Sequence, residues 1–274
     1  MRTKYSFVRI LFPGLFLFPV LAHLAAADVQ LRPDPLNLMK ASHEASKVGD
    51  SKAETEFRLI AANGKVRLQQ AETITRRDPE TGATSRLARF VAPADVKGTA
   101  VLTIERAQRD DDIWLFLPAL EKVRRLQGNK TREAYMGTDL SYGDVIGHSP
   151  DDWIHRIIGD DMIDGIDCWI VESLPQTDLV AKTSGYSKRV SWIRSDNAMP
   201  VRADLFDRSG KLMKRIIQNN IRKVATSPDR WQAMDIEVEN IRTRHRTEVR
   251  FRSYEANTGL DSDLFTPRAL EKTP

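Results

Sequence analysis

The chain has 274 residues, of which 41% are hydrophobic and 29% are charged, with 42 basic residues, 38 acidic residues and one cysteine. This composition supports a packed core and excludes a disordered chain, a polytopic membrane protein and a fibrous repeat. The single cysteine, Cys168, excludes an intramolecular disulfide framework and any metal site built from several cysteines.

The first 27 residues follow the order of a secretory signal peptide. A basic start with Arg2, Lys4 and Arg9 precedes the apolar residues 10–24, and residues 25–27 are three alanines. This order predicts cleavage after residue 27 and export from the cytoplasm. An uncleaved anchor is the alternative, although the apolar stretch is short for a membrane span and contains two prolines.

Removal of residues 1–27 lowers the net charge of +4 by three, which leaves a nearly neutral chain. Such a charge gives no electrostatic argument for nucleic acid as a partner. In an oxidising compartment Cys168, which lies among large apolar residues, is expected to be a buried core residue. The alternative, a redox or nucleophilic thiol, would need a base such as His155 on a neighbouring strand.

The mature chain begins with one helical segment and then changes to strand periodicity. Asp34 as a cap and Pro35 at the first position predict a helix over residues 35–48. Alternation with a period of two follows, and the pair Asn63-Gly64 predicts a hairpin. Further alternating runs and frequent turn residues predict an antiparallel meander of about eleven strands.

Four segments carry more specific expectations. Residues 128–150 are predicted to form a long loop with one or two helical turns, and residues 261–270 a short closing helix. Charged residues alternate along residues 241–252, which favours a solvated outer sheet face over a phosphate-binding stripe. Residues 113–117 are apolar on both faces, so this strand is either covered on both sides or lines an apolar cavity.

The sequence contains only incomplete versions of known catalytic and metal-binding motifs. Ser149 follows Gly147 and His148, but the closing glycine of a nucleophile elbow is missing. Asp160 and Asp164 resemble part of a calcium loop, yet the required acidic residue at the last position is Val171. The histidines outside the signal segment lack metal-ligand spacing. We therefore expect no catalytic residues, no metal and no cofactor, and we predict that the protein is not an enzyme.

Four segments of the sequence resemble the LolA-like group of outer membrane lipoprotein-sorting proteins. The resemblance runs from about residue 36 to residue 270 and is most specific in the first two segments. They are residues 112–126 (DIWLFLPALEKVRRL), residues 135–144 (YMGTDLSYGD), residues 164–175 (DGIDCWIVESLP) and residues 263–267 (DLFTP).

The resemblance implies a mainly β fold with a few helices, in which a strongly curved antiparallel sheet forms an incomplete barrel plugged by helices. It implies one such domain over residues 28–274, and a periplasmic carrier that shields acyl chains of lipoproteins or lipids on the way to the outer membrane. An inner-membrane exporter of the resistance-nodulation-division type is the implied partner, contacted only transiently by a monomeric carrier. The alternative function is a periplasmic protein-binding, stress-regulatory module on the same fold.

Within this hypothesis the apolar strand residues are candidates for the wall of a ligand cavity, and the long loop is a candidate gate. An ordinary core role is the alternative for each of them. The cavity candidates are Trp114, Phe116, Trp153 and Ile157, and the gate candidates are Tyr135, Met136, Leu140 and Tyr142.

Overall fold

Thirteen antiparallel strands form one curved, unclosed sheet in the computed structural model of this chain, which describes residues 32–106, 111–126 and 128–271. These elements belong to one compact unit that begins at Pro33. The predicted signal peptide, residues 1–27, lies outside the described residues. The mainly β class is therefore as predicted, with thirteen strands where about eleven were expected.

The strands occupy most of the chain. They are β1 (Asp50–Ile60), β2 (Val66–Arg77), β3 (Thr84–Ala92), β4 (Ala100–Ile104), β5 (Asp112–Leu117), β6 (Lys122–Leu126), β7 (Trp153–Ile163), β8 (Ile166–Pro175), β9 (Tyr186–Arg194), β10 (Pro200–Asp207), β11 (Leu212–Thr226), β12 (Asp229–Asn240) and β13 (His245–Ala256). The α-helices in the described ranges are short: α1 (Pro35–Glu44), α2 (Tyr142–Ile146) and α3 (Asp178–Ser184).

The order of the strands in the sheet differs from their order in the chain at one place. The sheet runs β6-β5-β4-β3-β2-β1-β13-β12-β11-β10-β9-β8-β7, so β6 and β7 lie at opposite edges although they are consecutive in the chain. Residues 128–152, which we name the crossing segment, belong to the connection between these two edges. As predicted for residues 128–150, the segment is irregular and contains short helical turns.

The sequence signals at the start of the domain are confirmed by local geometry. The backbone N–H of Asn37 donates to the Asp34 carboxylate at 2.8 Å, which caps α1. The helix ends at Glu44, short of the predicted residue 48, because the chain there turns to enter β1. Gly64, with φ +82°, permits the predicted hairpin, in which Ile60 pairs with Val66.

The two faces of the sheet differ in character. α1 and the crossing segment cover one face, which we call the inner face, and the outer face of β1 and β13 is charged. There Arg252 donates to Glu56 at 2.7 Å, and Arg58 donates to Glu248 at 2.8 Å. This confirms the solvated-face interpretation of residues 241–252, except that residues 241–244 form the turn before β13.

Strand β5 is covered on both sides, which decides between the two alternatives for residues 113–117. Ile113 faces the inner side, in a cluster with Phe57, Phe90 and Tyr135. Trp114 and Phe116 pack on the other side against Phe265 and Leu270, which belong to two 3₁₀ turns near the end of the described chain.

Cys168 is buried in β8 beside Val190 and Trp192. Burial raises the pKa of its thiol, which opposes thiolate chemistry. His155 pairs across the strands with Ser173, whereas Cys168 pairs with Asp161. The cysteine is therefore the buried core residue that the sequence predicts.

A cavity on the inner face as candidate functional site

A cavity of about 440 Å³ lies on the inner face, between the sheet, α1 and the crossing segment. Ligand-binding pockets commonly have volumes of about 300–1,000 Å³, so the space suits one small molecule or part of a chain. Its apolar wall comes from inward-facing side chains of several strands. They are Phe57, Ile193, Ile216, Ile236, Val249 and Phe251.

Hydroxyl groups interrupt this apolar wall on the first strands. Thr55, Thr73, Thr75 and Thr84 all point into the cavity from β1, β2 and β3. Threonine fits a strand because its branched side chain packs well on a pleated surface, yet it also brings a hydroxyl inside. The Oγ1 atoms of Thr55 and Thr84 are buried and find no hydrogen-bond partner among the described residues. The cavity is thus amphiphilic.

One corner of the cavity combines an aromatic ring with a cation. Trp153 is 5% exposed, and the Arg189 guanidinium lies 5.6 Å from the centre of its ring. The His148 ring lies 5.9 Å from the same indole. The indole Nε1 of Trp153 and the imidazole Nε2 of His148 are buried without a hydrogen-bond partner in the part of the chain that the structure describes.

The histidines around this corner are uncharged at neutral pH. Burial, aided by the charge of Arg189, lowers the pKa of His148 to about 4. Burial and the nearby charge of Lys47 lower the pKa of His43. The pKa of His155 is lowered by burial as well, and its ring bonds to the Ser173 hydroxyl at 2.7 Å and to the Pro150 carbonyl at 2.9 Å.

A buried ion pair fixes the crossing segment over the cavity. The Lys214 ammonium of β11 donates to the Asp144 carboxylate of α2 at 2.8 Å, and the Tyr186 hydroxyl donates to the same carboxylate at 2.9 Å. Burial alone would raise the pKa of Asp144, but Lys214 and the backbone N–H of Ser141 lower it to about 2. Asp144 is therefore ionised and fully engaged.

Two guanidinium groups on the cavity wall have no carboxylate partner among residues 32–106, 111–126 and 128–271. Arg86 donates to the Val145 carbonyl at 2.5 Å, and Arg189 makes no ion pair. Both acidic residues on the wall are already matched, since Glu105 pairs with Lys47 at 3.4 Å and Asp144 with Lys214. The wall therefore carries an excess of positive charge.

The predicted cavity residues occupy three different places. Trp153 lies on the cavity wall. Trp114 and Phe116 lie in the outer cluster, because alternation along β5 turns them away from the inner face, and they are not among the lining residues. Ile157 faces inward but packs beneath α1 with Leu38 and Val171, away from the cavity lining.

The predicted gate residues lie together on the inner face. Tyr135 and Leu140 line the cavity. The rings of Tyr135 and Tyr142 are 5.4 Å apart in an edge-on contact, and both tyrosines are buried in the cluster that contains Phe57 and Phe90. Met136, with φ +49°, packs against the same cluster. Their role as a moving gate stays a prediction.

Sequence reasoning missed the polar corner. In β9 the apolar residues Val190 and Trp192 alternate with Arg189 and Ser191, so neither face stands out as the inner one. His148 and Arg86 lie in a loop and a strand without a motif. The available signal was that Arg86 lies two residues from the apolar Ala88 and therefore shares its face of β3. This signal is informative only when it is known which face of the sheet is covered.

Two further observations concern metal binding and membrane insertion. In the described ranges no group of three or more His, Cys, Asp or Glu side chains could hold a metal ion. Across the same residues no helix is both long and apolar enough to span a bilayer.

Known protein structures share this architecture. A family model described as an uncharacterized protein matches residues 82–272, and no curated protein matches the chain. A Vibrio parahaemolyticus domain assigned to outer membrane lipoprotein sorting shares 26% identity with a TM-score of 0.80, covering 87% of this chain and 98% of that one.

Two further solved structures are similar. A DUF1329 family protein from Desulfovibrio piger ATCC 29098 shares 28% identity with a TM-score of 0.80, covering 87% of this chain and 100% of its own. The LolA superfamily protein NE2245 from Nitrosomonas europaea shares 18% identity with a TM-score of 0.65, covering 86% and 98%. The last likeness concerns the fold alone.

Proposed function

We propose that this chain, which belongs to the family of uncharacterized proteins matched over residues 82–272 and has a LolA-like fold, is a periplasmic carrier that shields the hydrocarbon of a lipid or lipoprotein during transport towards the outer membrane. The observation that carries the proposal is the cavity of about 440 Å³ on the inner face, walled by apolar side chains and covered by the crossing segment. The domain similar to this chain from Vibrio parahaemolyticus is assigned to lipoprotein sorting, which supports the same role.

The physical task of such a carrier is to keep hydrocarbon out of water and still release it. Leaving an acyl chain in water costs about 0.8 kcal/mol per methylene group. Phe57, Ile236 and Phe251 offer the apolar contact that offsets this cost. In this proposal an inner-membrane complex loads the cargo, and an exporter of the resistance-nodulation-division type is the candidate donor. The protein acts by binding and release, without catalysis.

The experiment is native mass spectrometry of the mature protein after mild extraction, followed by delipidation and reloading with a labelled fatty acyl probe. Ala53 lies on the cavity wall, and its neighbour Lys52 points to solvent from the same strand. Ala53→Trp fills the cavity and should remove most of the bound lipid. Lys52→Trp adds the same side chain outside and should leave the lipid content unchanged.

A second, smaller substitution in the cavity distinguishes loss of cavity volume from loss of folding. Ala203→Leu adds a smaller volume to the wall from β10, and circular dichroism melting reports whether each variant is folded. Partial loss of lipid in a folded Ala203→Leu protein supports the carrier. Wild-type protein that contains no amphiphile and takes none up would overturn it, as would folded filling variants that retain full occupancy.

A further inference from the structure

The corner at Arg189 has unused hydrogen-bonding capacity that the shielding of hydrocarbon does not explain. A guanidinium keeps its positive charge under all ordinary conditions, and it offers donors in a planar fork suited to carboxylate and phosphate. Arg189 spends none of them on a carboxylate among the described residues. Asp144 acts on the Arg189 charge, but its carboxylate is bound by Lys214 and Tyr186, so a purely hydrocarbon cargo would leave the Arg189 N–H donors unused.

Neighbouring groups extend the set of donors. Trp153 is 95% buried, and its indole Nε1–H has no acceptor among the residues that the structure describes. Nε2 of His148, whose ring lies 5.9 Å from the same indole, is also without a partner there and donates when the proton of the neutral ring is on Nε2. An indole nitrogen donates and cannot accept, so the missing partner of Trp153 is an acceptor. Buried polar groups in native proteins normally have a hydrogen-bond partner. The two unpaired nitrogens therefore indicate that a bound molecule supplies the partner.

We propose that Arg189, Trp153 and His148 form an anion-binding subsite, and that the cargo is an amphiphile with an anionic headgroup, either a carboxylate or a phosphate. This inference rests on the proposed carrier function and narrows its cargo. The headgroup accepts from Arg189 and from the Trp153 indole, while the hydrocarbon extends along the wall formed by Phe57, Ile236 and Phe251.

The charges around the cavity favour an anion over a cation or a neutral group. Asp144 is held by Lys214 and Tyr186, and Glu105 by Lys47, so the acidic side chains of the wall are already paired. Arg86 adds a second cation, whose partners among the described residues are the Val145 carbonyl and the Thr75 hydroxyl. In a cavity of low dielectric these charges attract an anion strongly. The uncharged diacylglyceryl anchor of a lipoprotein does not use them.

The test compares three probes with the same dodecyl chain: tridecanoate, dodecyl phosphate and uncharged dodecanol. Affinity is measured by displacement of a fluorescent apolar dye from delipidated protein. For wild type we expect both anions to bind more tightly than dodecanol. Arg189→Gln should weaken the binding of the anions by roughly tenfold or more, since hydrogen bonds to charged groups are the strong ones, and should change dodecanol binding little.

Matched variants distinguish the contribution of the positive charge to binding from that of side-chain packing. Arg189→Lys should recover part of the affinity for the anions, and Trp153→Phe, which keeps a ring and removes one donor, should lower it by several-fold. Arg222→Gln removes an exposed arginine of β11 and should change nothing. Circular dichroism melting confirms that each variant is folded, and Trp153→Phe keeps the question answerable should Arg189→Gln not fold.

The outcomes of this experiment are distinct. Equal binding of dodecanol and the two anions by wild type, or unchanged anion binding in folded Arg189→Gln and Trp153→Phe proteins, would overturn the anion subsite and leave the carrier proposal intact. Failure of all three probes to bind would overturn both. A preference for tridecanoate over dodecyl phosphate favours fatty acids as the source of the headgroup, and the reverse preference favours lipids with a phosphate headgroup.

Discussion

Lys214 and Asp144 form an ion pair at 2.8 Å in which the two side chains are only 3% and 4% exposed. The lysine comes from the middle of the sheet and the aspartate from the first turn of α2 in the crossing segment. The same lysine also donates to the Asp139 carbonyl at 2.7 Å. A single side chain thereby fixes the crossing segment to the inner face at two points.

Breaking this pair should be costly. Lys214→Met leaves Asp144 buried without its cation, and removal of one partner of a buried pair typically costs about 3–5 kcal/mol. We expect a loss of this size in the free energy of unfolding, measured by chemical denaturation. The double variant Lys214→Met/Asp144→Asn should recover much of the loss, because no carboxylate then remains without its cation, and the asparagine oxygen still accepts from Ser141 or Tyr186. A double variant less stable than the single one would contradict this account.

The exposed pairs of the outer face should behave differently. Arg252 is half exposed where it bonds to Glu56, and water screens such a pair. Arg252→Ala should change the free energy of unfolding by no more than about 1 kcal/mol. The same denaturation measurement makes Arg252→Ala the reference for Lys214→Met. A comparable loss of unfolding free energy in the two variants would contradict the claim that the buried pair stabilises the fold more than the exposed one.

Acidification should destabilise the fold through His148. Its pKa is about 4 when folded and near 6.5 when unfolded, because burial and Arg189 oppose its protonation. Between these values the unfolded chain binds a proton that the folded chain does not, so stability falls as the pH is lowered from 6.5 towards 4. With about 1.4 kcal/mol per pKa unit, the contribution of this histidine reaches at most roughly 3 kcal/mol.

His148→Gln should flatten this dependence, and denaturation at pH 7 and at pH 4.5 measures it. Asp144, with a pKa of about 2, stays ionised across the window, so its pair with Lys214 persists there. The charged groups that face His148 are Arg189, Asp144 and Lys214, the titratable ring of His43 lies near them, and the variant leaves all four in place. An unchanged slope in His148→Gln would assign the acid sensitivity to other groups.

The outer cluster should support stability without touching the cargo. Leu270 is fully buried against Trp114 and Phe116, on the side of the sheet away from the cavity. Leu270→Ala should cost about 2–5 kcal/mol, as large-to-small substitutions in cores do. Lipid occupancy of the folded variant, measured by native mass spectrometry, should equal that of wild type. Selective loss of lipid would show that this cluster communicates with the cavity.

Much of the fold follows from local signals in the sequence. The Asp34 cap and the Asn63-Gly64 hairpin are determined by neighbouring residues, and the structure confirms both. The sheet has thirteen strands where about eleven were predicted, and the turn at residues 241–244 lies between β12 and β13. α3 (Asp178–Ser184) was missed, since its seven residues give too short a periodic pattern.

The cavity was predictable as a consequence of the family resemblance, but its lining was not. Trp114 and Phe116 have the composition of a cavity wall, and only the 3₁₀ turns at Ser262–Phe265 and Pro267–Leu270 reveal that another segment covers them. Arg189 of β9 reaches the ring of Trp153 in β7 across the intervening strand β8. Contacts of this range depend on tertiary packing, which no local pattern records.

The crossing segment contributes no strand to the thirteen-strand sheet. Its displacement would therefore leave every hydrogen bond between neighbouring strands in place. In the proposed carrier, a substitution at Lys214 should loosen the cover of the cavity as well as lower the free energy of unfolding, while the pairing of the thirteen strands persists.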